Sequence, residues 1–99
     1  MTNAVAWLEP HLVGAPEQLR RRMLAAIEPA ESVPHALAEA ALGCLRDALE
    51  NPDEALDLLA ADALLTHALH AAAEQGDDAL QRLVESLDAA SFQRLIEER

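Results

Sequence analysis

Apolar side chains return along this chain at intervals of three and four residues, the pattern of helices that each turn one face to a core. Thr2 or Asn3 can cap a short first helix running to about His11, after which Gly14, Ala15 and Pro16 redirect the chain. From Pro16 to about Ile27, Leu19, Met23, Ala26 and Ile27 share a face, and residues 29–34 read as a linker. Ser32 ahead of Val33 and Pro34 marks the start of a third helix, in which Leu37, Ala38, Ala41, Leu42, Cys44, Leu45, Ala48 and Leu49 line one side. Asn51, Pro52, Asp53 and Glu54 read as a cap, a first-turn proline and two acids at the positive end of the helix dipole, which predicts a fourth helix from there to about Gln75. Gly76 stops it, and Asp77 caps a segment striped by Leu80, Leu83, Val84 and Leu87. A break at 86–88 then separates a last short helix carrying Ala89, Phe92, Leu95 and Ile96 from a fraying tail. Connections this short fold neighbours back on each other. The expected architecture is all-α: a compact antiparallel bundle of four main helices, with short helical pieces at its N- and C-terminal ends, forming one domain over residues 1–99.

One stretch breaks the pattern. In residues 58–70, LLAADALLTHALH, Asp62 stands four residues from Leu58, three from Leu59 and Leu65, and seven from Leu69, so helical spacing sets it in the middle of a leucine stripe. Steps of four from Asp62 reach Thr66, His70 and Glu74, a polar ridge that crosses the apolar face obliquely. If the stripe faces the core, an unpaired carboxylate there costs several kcal/mol, and a donor must reach it from another helix. The free N–H groups of a helix N-terminus, Arg46, or one of Arg20, Arg21 and Arg22 could supply it. The preferred expectation is a shielded structural post at Asp62; the alternatives are a ligand-binding carboxylate in a cleft, and a stripe that faces a solvated groove and leaves Asp62 unburied.

His67, His70 and Glu74 form an H-x-x-H-x-x-x-E pattern within one third of the helix circumference, enough to hold a metal only if another helix adds a ligand such as His11 or His35. Such histidine pairs are common on surfaces, so no metal or other cofactor is expected. Cys44 lies on the inner stripe of its helix and reads as a small packed side chain. The Arg20–Arg22 cluster reads as a solvated face offsetting nearby acids.

Composition reinforces the helical reading, with 22 alanines and 18 leucines against only six valines and isoleucines, and Trp7 and Phe92 as the aromatic residues. A core of small residues lets helices approach closely and makes a second copy of the chain a natural way to bury more surface, so a homo-oligomer is expected. Eighteen acids against seven arginines and no lysine give a net charge of −11, which repels nucleic acid and anionic membranes; neither is an expected partner. No run approaches the roughly 18 apolar residues of a membrane span, the lone cysteine excludes an internal disulfide, and the first residues lack the basic start of a secretory signal, so a cytoplasmic location is expected. Near the C-terminus, Glu85-Ser86-Leu87-Asp88 and the helix ending in Ile96-Glu97-Glu98 resemble the D-S-L motif and recognition helix of acyl carrier proteins. That resemblance implies a phosphopantetheine arm on Ser86, but the family has aspartate where this chain has Glu85, and a plain helix–helix joint is the preferred reading. No nucleophile–base pair, phosphate-cradling glycine loop or specific metal signature is present, so an enzyme is not expected. The leading function is a non-catalytic protein–protein interaction or regulatory module that self-associates and binds a protein partner. The alternative is a small-molecule or metal-binding bundle using the ridge of Asp62, Thr66 and His70.

Overall fold

The computed structural model describes residues 3–87 and Glu97; the expected last helix over Ala89, Phe92, Leu95 and Ile96 lies outside the described residues. The chain forms α1 (Ala4–Leu8), a 3₁₀ turn (Glu9–Leu12), α2 (Glu17–Ala26), α3 (Val33–Glu50), α4 (Ala55–Gln75) and α5 (Asp77–Ser86), with no strand among the described residues. It is an all-α helical bundle in which the two long helices, α3 and α4, form the main contact and α2 and α5 pack against them. The N-terminal segment lies against α3.

Local chemistry sets most of the boundaries. Asn3 caps α1, its Oδ1 accepting from Ala6 N–H at 3.0 Å, and the Ser32 hydroxyl caps α3 by accepting from His35 N–H at 3.3 Å. Gly76 ends α4 at φ +116°, a conformation that side-chain-bearing residues avoid, and serves as the N-cap of α5 in place of the expected Asp77, which lies in the first helical turn.

The start of α4 departs from expectation. Asn51 ends α3, its N–H bonded to Asp47 O at 2.9 Å, and Glu54 N–H bonds to Asn51 O at 2.9 Å, closing a β-turn over 51–54 before α4 begins at Ala55. Asn, Pro and Asp suit successive positions of a β-turn as well as they suit a helix start. A chain that must reverse between two packed helices takes the turn.

The largest fully buried side chains are Leu8, Met23, Leu37, Cys44, Leu64 and Leu83, so every helix contributes at least one. Around them the core is alanine: α3 buries Ala36, Ala38, Ala40 and Ala41, and α4 buries Ala60, Ala61, Ala68, Ala71 and Ala72. Small side chains on both helices let their backbones approach closely, so the α3–α4 seam gains its contacts from proximity more than from bulk.

Candidate functional site: a histidine cluster and a leucine face

With its alanines and Leu64 turned inward, α4 carries Leu58, Leu59 and Leu69 outward. Leu58 and Leu59 are each 56% exposed and Leu69 is 37% exposed; Leu65, between them, is half-buried. Asp62 and Thr66 lie on the same outer face and are exposed. The shielded post expected at Asp62 is therefore corrected: no described residue donates to its carboxylate, and the Thr66 hydroxyl bonds to the Asp62 backbone carbonyl at 3.0 Å. The face that turned inward, Ala60, Ala61, Leu64, Ala68, Ala71 and Ala72, is wholly apolar, whereas the leucine stripe would have carried the Asp62 carboxylate into the core.

The donor expected for Asp62 serves another acid. Arg22 on α2 donates from Nε to Asp57 Oδ1 and from Nη2 to Asp47 Oδ2, both at 2.7 Å, joining α2, α3 and α4. The Asp57 bond raises the Arg22 pKa further, against the opposing effect of burial. Of the arginine cluster, Arg20 and Arg21 behave as expected, pairing at the surface with Glu9 and Glu17, while Arg22 is corrected to a half-buried tie. Cys44 is fully buried, and burial pushes its thiol pKa up, only partly offset by nearby Arg22.

The lower half of the polar ridge winds away from the leucine face toward the N-terminal segment. Trp7 Nε1–H donates to Glu74 Oε1 at 3.1 Å, and the other Glu74 oxygen lies 3.4 Å from His70 Nε2. His11 stacks on Trp7 with ring centroids 4.0 Å apart, and His70 meets the Trp7 and His11 rings edge-on at 5.6 and 5.3 Å. His11 Nδ1 lies 2.8 Å from the Trp7 carbonyl, an acceptor only, so Nδ1 carries a proton and, in the neutral ring, Nε2 holds the lone pair. His11, His70 and Glu74 each offer a ligand atom within 4.8 Å of the others, and all three residues are exposed.

His67 belongs to the cluster but not to this set. Its ring meets Trp7 and His11 edge-on at 6.2 and 5.8 Å, and its Nδ1 is buried without a hydrogen-bond partner among the described residues. Burial lowers its pKa, reinforced by the neighbouring His11 and His70. The sequence pattern thus found His70 and Glu74 and named His11 as a helper. It missed Trp7, whose role depends on a segment 67 residues away.

The other helper considered, His35, is engaged elsewhere: Nδ1 lies 2.9 Å from the Ser32 hydroxyl and Nε2 lies 3.4 Å from Glu31. It borders an open cleft of about 480 Å³ that also meets Gln75, Arg82 and Glu85. Ser86 is the last residue of α5, where its hydroxyl donates to Leu83 O at 2.7 Å. No helix among the described residues is long and apolar enough to cross a membrane.

No family model, curated protein or solved structure matches the chain.

Proposed function

We propose that this protein is a non-catalytic interaction module that docks a second helical surface on the outer face of α4, with self-association as the simplest form. The observation that carries the reading is that α4 is apolar on two sides and only the alanine side has a partner within the described residues. Exposed leucines grouped along one helix, with Leu65 among them, are the surface on which an amphipathic helix docks. Asp62 at the middle of that face sets register and polarity: a partner offering a basic side chain at that level is favoured and one offering an acid is repelled, so two copies must meet with their Asp62 carboxylates offset.

The test is the mass of the untagged full chain by light scattering across a concentration series, beside the double variant Leu58→Glu, Leu69→Glu. Self-association through this face requires a wild-type mass above one chain and a monomeric variant with unchanged circular dichroism. A wild type that stays monomeric at every concentration removes self-association. The face is then tested with leucine-rich helical peptides that carry either arginine or glutamate at their centre, and equal binding of the two, or none, removes the docking reading.

A further inference from the structure

The geometry points to a second, independent site: His11, His70 and Glu74 form a binding site for a divalent transition-metal ion of the zinc, cobalt or nickel class. Two imidazoles and one carboxylate are a donor set such ions favour, and here one ligand atom from each already lies within 4.8 Å of the other two. The surroundings do what supporting residues do at metal sites. The Trp7 carbonyl holds the His11 Nδ1 proton and so presents the Nε2 lone pair, while Trp7 Nε1–H holds one Glu74 oxygen and leaves the other beside His70 Nε2. One residue thereby orients two of the three ligands from opposite ends of itself.

The i,i+4 spacing of His70 and Glu74 comes from α4 alone, whereas His11 arrives from the 3₁₀ turn at the other end of the chain. A bound ion would therefore fasten the N-terminal segment to α4. The net charge of −11 favours cations over competing anions near this surface. Cys44, the chain's softest donor, is fully buried and does not compete.

The experiment is titration of the untagged, chelator-treated full chain with Zn²⁺ by calorimetry and with Co²⁺ by visible absorption and Trp7 fluorescence. The expected result is saturation at one ion per chain, cobalt absorption from bound imidazole, quenching of Trp7, and a rise in melting temperature with Zn²⁺. Glu74→Gln and His70→Ala should each weaken binding more than about tenfold, and Trp7→Phe should weaken it by about 10–100-fold, the usual penalty for losing a group that orients metal ligands. His67→Ala should bind as the wild type does. Circular dichroism of each variant separates lost ligands from lost fold. Absence of saturable binding, or binding that survives both His70→Ala and His11→Ala in folded protein, overturns the site; loss of binding in His67→Ala overturns the ligand set.

Discussion

Arg22 reaches two carboxylates on two other helices, and its partner Asp57 is only 15% exposed at the side chain. Removing that acid leaves the half-buried guanidinium with Asp47 alone, so Asp57→Ala should destabilise the fold by about 1.5–3 kcal/mol in urea titration, the range for hydrogen bonds to charged groups. Asp62→Ala should shift stability by no more than about 0.5 kcal/mol, as expected for an exposed residue whose carboxylate has no donor among the described residues. Equal effects of the two substitutions would contradict this assignment. Cys44 should release no colour with a thiol reagent at pH 8 until the chain unfolds, because burial keeps the thiol protonated and covered. His67 gives a pH dependence of definite sign. Its folded pKa lies below the unfolded value, so the unfolded chain takes up the proton first, and the contribution present above about pH 6.5 is lost as the pH falls toward the folded pKa. In metal-free protein, the loss of urea stability between pH 7.5 and 5.5 should be smaller in His67→Gln than in the wild type. Spacing located the anomalous acid and the type of donor a buried acid requires, yet paired them wrongly, because it cannot tell which apolar face of α4 turns inward.

At the scale of the elements, caps and periodicity made α2, α3 and the end of α4 legible: Ser32 and Gly76 fulfil the roles their residue types favour. The beginning of α4 was not, because Asn51-Pro52-Asp53 satisfies two local grammars and only the packing of α3 on α4 chooses between them. Two glycines make opposite predictions. Gly76 sits at φ +116° and ψ 174°, so Gly76→Ala should cost about 1–3 kcal/mol through backbone strain alone, since a Cβ there meets nothing within 4 Å. Gly43 lies inside α3 with equally open space around it, so Gly43→Ala should gain about 0.5–1 kcal/mol. Thermal or urea unfolding of both variants checks the pair, and a shift of the same sign in both would refute the argument.

For the whole molecule, the class of fold followed from composition and period, since so many alanines and leucines and so few β-branched residues leave little else. The histidine cluster was legible only in part, because His67, His70 and Glu74 share a helix while Trp7 and His11 come from a segment whose docking no local pattern encodes. A net charge of −11 on a chain this small repels itself, so raising the salt concentration should raise the melting temperature. A fall in melting temperature with added sodium chloride would show that favourable ion pairs outweigh the general repulsion.

The bond from Trp7 to Glu74 closes across 67 positions of sequence. The N-terminal segment can therefore complete its docking only once α4 has formed, whatever else has already packed. A contact that spans so much of the sequence ties the integrity of this corner to the folding of the long helix.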